Sequence, residues 1–456
     1  MEPLTKNQTH IARITGYTSS GYGVCRINGR AVFVPFALPD ELWEILILKV
    51  TSAAVYGKGA HLIEPSPERQ EPPCPAFGKC GGCSLLHMSY AEELSFKLSR
   101  VNDAMERIAG LTIRADEIRP AAARERYRNK VIFNFSADAE GRTSCGFYRE
   151  RSHELTPITD CLLAPELAIR AAKALCAFMD AERLPLYDER TRKGTLRHLF
   201  VRRATRKSGA VAVVVSARGF GAKTEKLVCA LRQAAPELTG ILLCVNKTEG
   251  NVVLTGQYHT LWGEPDLTDE LCGLTFRFSP DSFYQINPPQ AEKLYEKASL
   301  FAEVSGKTAL DLYCGVGTLT LALAKTAKQV YGVEIVGPAA RCARENARLN
   351  NLTNAEFLTG DADAAARELE RRGIKPDAVV VDPPRKGLTP ELIGTIARLN
   401  PARVVYVSCD PGTLARDAKA LSALGFHPTR LTAVDMFPAT AHIECVMLLE
   451  RTSSNL

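Results

Sequence analysis

Val404-Val405-Tyr406-Val407-Ser408-Cys409-Asp410-Pro411 joins four apolar or β-branched residues to a short polar loop, and Pro411-Gly412-Thr413-Leu414-Ala415 then starts a helical pattern. The pattern predicts a buried strand running into a helix, with Cys409 at the carboxyl edge of a sheet. In open α/β sheets ligands bind outside the carboxyl ends of the strands, so a thiol there faces the site. Asp410 suits an N-cap and Pro411 the first helical position. That sets Cys409 beside the positive end of a helix dipole, which favours thiolate, while the charge of Asp410 opposes it. Taken alone, the stretch favours a plainer reading, a small apolar cysteine that finishes a strand. The rest of the chain reverses that.

Working outward, the pattern from Asp281 to the end alternates strand and helix, which predicts a parallel sheet. Candidate strands are 307–313, 329–334, 355–359, 376–381, 403–408 and 443–450. Ala309 to Thr318 is a strand that turns into a helix through Gly315 and Gly317, which let backbone approach a ligand closely. The third glycine of the dinucleotide fingerprint is missing, since Leu319 and Thr320 stand there. Glu334 ends the next strand, where a carboxylate can accept both ribose hydroxyls of a nucleoside. Asp361 follows the third strand and suits either an adenine amino group or a helix N-cap. Without a full phosphate cradle, the expected ligand is an adenosine carrying no phosphate, S-adenosylmethionine. Asp382-Pro383-Pro384-Arg385 ends the fourth strand, and its prolines stiffen the loop and remove backbone donors around the Asp382 carboxylate. Methylation of exocyclic amines calls for an aromatic after such a Pro-Pro pair, so Arg385 speaks against it. His442-Ile443-Glu444 introduces the last strand. Glu444 is either a solvated residue at a strand start or a base facing Cys409 across the sheet edge.

The amino-terminal half differs in texture. Residues 1–65 hold several short alternating runs, with Asn28-Gly29 between Val24–Ile27 and Ala31–Val34 as a two-residue hairpin signal. A small β-barrel, with the oligonucleotide-binding type as one option, fits that spacing. A Pro-rich linker from Glu64 leads to Cys74-Pro75-Ala76-Phe77-Gly78-Lys79-Cys80-Gly81-Gly82-Cys83. Three cysteines spaced by five and then two residues among glycines signal a metal site. The fourth thiolate is open among Cys145, Cys161 and Cys176, and zinc and an iron–sulfur cluster both accept four. Residues 90–110 read as an amphipathic helix and 120–278 mainly as strands. Two basic clusters follow. The first is Arg124, Arg126, Arg128 and Lys130; the second is the window Arg190–Lys207, with eight Lys or Arg and no acid. The absence of mixed signs points them at phosphates.

The 456 residues suggest about two to four domains. A net charge of +6 mildly favours an anionic partner. No apolar run is long enough to span a bilayer, and Met1–Gly16 lacks the apolar region of a secretory signal. Fourteen cysteines without secretion imply a reducing compartment. The expectation is a soluble, cytoplasmic chain that meets no membrane and needs no protein partner.

The motifs Arg126-Tyr127-Arg128-Asn129-Lys130, Phe283-Tyr284-Gln285-Ile286-Asn287, Asp311–Gly317, Asp382–Arg385, Ser408–Pro411 and His442-Ile443-Glu444, in this order, resemble those of the RNA uracil-5 methyltransferases that make 5-methyluridine. The resemblance covers nearly the whole chain. It implies an α/β fold in three parts. Residues 1–65 would be an oligonucleotide-binding-type barrel of the TRAM kind, 66–280 a β-rich central domain with a [4Fe-4S] cluster, and 281–456 a Rossmann-like methyltransferase domain. It implies that Cys74, Cys80, Cys83 and Cys161 hold the cluster, and that Gln285, Tyr313, Glu334 and Asp382 bind S-adenosylmethionine. Gly315, Thr318 and Asp361 would line the same pocket. Cys409 would be the nucleophile and Glu444 the base, acting on a uridine of 23S ribosomal RNA, because the barrel is found on ribosomal-RNA members and absent from bacterial transfer-RNA members. Two departures stand out: Asp410 is often Asn in the family, and Ala439 replaces a residue that is often polar. Rival readings are a transfer-RNA substrate, an amine or DNA-cytosine methyltransferase, and a non-enzymatic RNA-binding protein.

Overall fold

In the computed structural model, which describes residues 3–150, 152–250 and 252–451, the strand Arg403–Ser408 lies near the middle of an eight-stranded sheet. Across that sheet the order is Ala355–Thr359, Gln329–Glu334, Thr308–Asp311, Ala378–Val381, Arg403–Ser408, Glu444–Arg451, Phe426–Val434 and Glu117–Arg119. The first five run parallel. Three of these, Thr308–Asp311, Ala378–Val381 and Arg403–Ser408, are near-continuous apolar runs buried on both faces, as parallel strands covered by helices must be. The order reverses between Thr308–Asp311 and Ala378–Val381, which opens a crevice at their carboxyl ends.

The expected all-parallel sheet is corrected at its far side. Glu444–Arg451 is antiparallel to both neighbours, and Phe426–Val434 was not anticipated. Its start, Phe426-His427-Pro428-Thr429-Arg430, carries a proline and a bulge between Pro428 and Arg430, which break the period-two pattern. The antiparallel turn has a functional consequence: the start of Glu444–Arg451 lies at the same sheet edge as the ends of the parallel strands.

The middle of the chain forms a seven-stranded sheet from Lys130 to Gly263, mostly antiparallel. Helices Glu166–Ala181 and Thr224–Ala234 fill one face. On the other face Phe200, Val213, Val215 and Leu242 join the core of the carboxyl-terminal layers. Helix Tyr90–Ala104 continues through a π-helical turn, Met105–Ala109. It packs on the carboxyl-terminal side of the molecule, with Val101 and Met105 in the same core as Tyr406 and Leu414. Glu117–Arg119 pairs with Phe426–Val434. Residues 90–119 are thus packed with the last third of the chain.

The amino-terminal strands form a six-stranded sheet around Ile14, Cys25, Val32, Ile45 and Ile47. Asn28 and Gly29 take φ 51° and 79°, the left-handed pair the hairpin signal requires. Among the described residues no helix is long and apolar enough to cross a membrane.

Candidate active site and cysteine cavity

The carboxyl edge of the large sheet collects chemistry from five strands. Ser408 pairs with Cys445, and Val434 pairs with Glu444, so Cys409 and Glu444 flank the last rungs of adjacent strands. Val405, Val407, Val446 and Leu448 share one core, so the pleat sends Glu444 to the face on which Cys409 follows. Asp410 caps helix Pro411–Ser422 by accepting from the Thr413 N–H at 2.8 Å.

Burial dominates the electrostatics here. The Cys409 thiol is pushed up to about 11, first by desolvation and then by the charges of Glu444 and Asp382, with Arg385 opposing through its charge and a hydrogen bond. Against the thiolate-favouring helix end expected from the sequence, withdrawal from water and two neighbouring carboxylates favour the thiol. The Glu444 carboxyl is raised well above its ordinary range by burial and then by Asp382, again with Arg385 opposing. Asp382 rises to about 7 through burial and the charge of Asp311. These groups lie within electrostatic reach of one another, and each carboxylate raises its neighbours.

A second pocket adjoins them at the sheet crossover. Gly315 and Gly317 take φ 55° and 90°, positions that suit glycine alone, and a side chain at Gly315 would stand in open space. The Glu334 carboxylate spans this turn, accepting from Gly315 N–H at 3.0 Å and Val336 N–H at 2.7 Å. Thr318 Oγ1 lies 3.1 Å from the Tyr295 hydroxyl. Tyr295 also hydrogen-bonds Gln285 and is raised by burial and the charge of Asp382. Tyr313 is pushed up to about 12 by burial and then by Asp361 and Asp417. Tyr295 thus stands near Gln285, Thr318 and Asp382, and Tyr313 within the field of Asp361. Asp361 caps helix Ala362–Arg371, using one oxygen for the N–H groups of Asp363 and Ala364. Sequence reasoning missed Tyr295, which lies on the buried face of helix Pro288–Ala302 and looks like core. It also gave no role to Asn129, whose side chain donates to the Gln285 carbonyl at 2.8 Å.

The cysteine segment folds around a cavity of about 60 Å³ lined by Cys74, Cys80, Cys83 and Cys161, with Phe77, Leu86 and Phe147 among its apolar walls. Such a volume exceeds the roughly 10–15 Å³ that one water needs. Cys145 and Cys176 hydrogen-bond each other instead. Burial raises the thiols of Cys80, Cys83 and Cys161, and the guanidinium of Arg128 opposes in each case. Among the described residues no three ligand side chains close around a single ion.

The basic clusters are in part structural: several of their arginines are spent inside the fold, while Arg190, Lys193 and Lys207 are exposed. Arg202 is 1% exposed, packed near Phe200 and Phe278, and donates to the Ser282 carbonyl at 2.7 Å. Arg197 is buried and donates to the carbonyls of Asn246 and Thr248. Arg192 and Arg206 pair with Glu249 and Glu292. Arg126 binds Asp160 and the Cys161 carbonyl. Backbone carbonyls and remote acids balance the charge, and neither is visible in a local count. A cleft of about 1020 Å³ does lie elsewhere, between the amino-terminal sheet and helix Tyr90–Ala104. Arg26, Arg100 and Arg107 line it, and it ends at Asp410–Gly412 beside Cys409.

Comparison with known proteins agrees with this architecture. A model of the tRNA (uracil-5-)-methyltransferase family matches residues 270–452. A protein of Clostridium tetani described as an uncharacterized RNA methyltransferase is 40% identical, over 98% of this chain and 97% of its own. One from Halalkalibacterium halodurans, described likewise, is 41% identical over 98% of each. Among solved structures, the Pyrococcus abyssi tRNA (uracil-54, C5)-methyltransferase in complex with S-adenosyl-L-homocysteine superposes with a TM-score of 0.77 at 27% identity. The match covers 96% of this chain and 100% of that one.

Proposed function

Because the chain belongs to the tRNA (uracil-5-)-methyltransferase family of RNA methyltransferases, we propose that it transfers a methyl group from S-adenosylmethionine to C5 of a uridine in 23S ribosomal RNA through a covalent Cys409 adduct. The observation that carries the reading is the shared sheet edge of Cys409, Glu444 and Asp382, next to the Gly315–Glu334 turn.

C5 of uracil is a weak nucleophile, so Cys409, after giving its proton to solvent, adds to C6 as thiolate and pushes an electron pair toward O4. The enolate then takes the methyl group at C5, in line with its leaving sulfur. Glu444 removes the C5 proton, the C6–S bond breaks, and Cys409 leaves as thiolate. Glu334 is suited to the ribose hydroxyls of the donor. Gln285, Tyr313, Thr318 and Asp382 line its remainder with Gly315, and Asp361 keeps one uncommitted oxygen toward the adenine. The exposed apolar pair Ile335 and Val336 stands beside Glu334 as a surface for the adenine ring.

Four thiols lining one cavity, with Arg128 near them, support the reading of a [4Fe-4S] cluster, which accepts four thiolates. Cys74, Cys80, Cys83 and Cys161 would hold it. When bound, such a cluster cross-links the loops that supply its ligands. The amino-terminal strands are proposed as a TRAM-type barrel, and the cleft lined by Arg26, Arg100 and Arg107 as the route by which an unstacked RNA strand reaches Cys409. The reducing cytoplasm suits both sulfur sites.

A transfer-RNA substrate is the second reading, favoured by the full-length likeness to the archaeal enzyme. Mapping 5-methyluridine in both RNA classes from cells lacking the protein decides between them. Loss from the large ribosomal RNA supports the first reading, loss from transfer RNA the second, and loss from neither removes both. In vitro, Glu444→Gln should accumulate the methylated protein–RNA adduct.

A further inference from the structure

Strands Phe426–Val434 and Glu444–Arg451 are joined by residues 435–443, and the rung that closes this connection is the pair Val434–Glu444. Whatever pins the connection therefore sets the position of Glu444. Its backbone is held almost atom by atom. The Asp435 carbonyl accepts from Gln290 and the Met436 carbonyl from Asn287. The Pro438 carbonyl accepts from the Tyr127 hydroxyl, and the Ala439 carbonyl from the N–H groups of Ser84 and Leu85, directly after Cys83. Arg100 holds the Ala441 carbonyl.

At the centre of these contacts lies a cation with no access to solvent. Lys97, Glu93 and Asp435 are each 0% exposed. The Lys97 ammonium donates to Glu93 Oε1 at 2.7 Å, to Asp435 Oδ1 at 2.6 Å and to the Phe437 carbonyl at 3.2 Å. Glu93 Oε1 also accepts from the Ala439 N–H at 2.8 Å, and Tyr90 donates to the other oxygen of Asp435 at 2.8 Å. A buried pair of this kind is poor evidence for stability, because desolvation offsets its attraction. Its directed bonds instead select one conformation of the connection. Ala439 is kept at φ 67°, a left-handed value that alanine adopts only when its surroundings impose it.

We propose that Lys97, with Glu93 and Asp435, is a positioning residue for Glu444: it locks the 435–443 connection so that the carboxylate stands where the C5 proton must be removed. This rests on the reading of Glu444 as the base. It assigns to helix Tyr90–Ala104, far upstream in the chain, a part in the last chemical step.

The test uses the full chain and times three events on substrate RNA: S-adenosylhomocysteine binding, adduct formation and adduct release, the adducts being resolved on denaturing gels. Lys97→Met should leave binding and adduct formation within about twofold but prolong the adduct about tenfold or more, since small displacements of a reacting group cost orders of magnitude. Tyr90→Phe, which removes one hydroxyl and leaves the packing, should prolong it about two- to fivefold by the same argument. An unchanged lifetime in Tyr90→Phe together with one in a folded Lys97→Met overturns the proposal, as does an equal loss in all three measurements. Glu444→Gln is the control for the underlying reading. If it releases its adduct at the native rate, the base assignment fails; if it retains the adduct and the Lys97 and Tyr90 variants do not, only the positioning role fails.

Discussion

Cys409 and the four cysteines of the Cys74–Cys161 cavity are chemically identical groups in opposite surroundings. Around the cavity the thiols meet apolar walls, one another, the Asp160–Arg126 ion pair and the guanidinium of Arg128. Cys409 stands at the open edge of a sheet among Asp382, Glu444 and Arg385. Burial raises Cys80, Cys83 and Cys161 as it raises Cys409, so thiol acidity does not separate them. What separates them is the neighbours. Several thiols gathered on one cavity become thiolates together with a metal group, which supplies the positive charge. A thiol beside carboxyls and an arginine is placed for proton traffic.

That contrast is most directly broken by Cys409→Ala. On the proposed mechanism it should lower methyl transfer by at least about 10⁴-fold, as loss of a nucleophile does. Iron content and melting temperature should stay unchanged, as metal analysis and calorimetry would show. Cys83→Ala should do the reverse in kind. We expect the purified protein to lose most of its iron and about 2–4 kcal/mol of stability, as for loss of a metal site. Denaturant titration reads the latter, and retention of full iron would remove Cys83 from the ligand set. A pH series sharpens the other side. Cys409 titrates near 11 and works deprotonated, and Glu444 is raised and also works deprotonated. Adduct formation at subsaturating RNA should therefore climb about tenfold per pH unit from 7 to 9. A flat profile would mean that bound RNA or donor lowers the thiol pKa before attack. The smallest effect belongs to the link between the two regions. Ala439→Gly relieves a left-handed alanine and should change stability by under about 1 kcal/mol, with adduct release unaltered.

Much of the carboxyl-terminal sheet was legible because each strand end carries its own signature. Gly315 and Gly317, Glu334, Asp382-Pro383-Pro384 and Cys409 all fall where a buried run stops. The strand Phe426–Val434 was not legible, because Pro428 and a bulge disturb its alternation. The basic window was only partly legible, for a different reason. Arg197 and Arg202 are buried in a strand whose partners lie far along the chain, so a count of local charges could not separate these structural cations from the exposed Arg190, Lys193 and Lys207. The positioning helix held a readable clue: Glu93, Lys97, Val101 and Ala104 share one buried face, so an ion pair sits within an apolar stripe.

From sequence alone came everything set by nearest neighbours. The strand-to-helix turns follow from glycine and proline backbone limits, the capping of helix Pro411–Ser422 from Asp410, and the three-cysteine segment from its spacing. Tertiary structure alone decided which groups share a cavity and which protons they keep. It brought Cys161 rather than Cys145 or Cys176 to the three upstream cysteines, set Glu444 across from Cys409 by reversing one strand, and raised the Cys409 thiol by taking it partly out of water. The reason is range: torsional preferences act over a few residues, whereas desolvation and Coulomb forces depend on distances that only the folded chain defines.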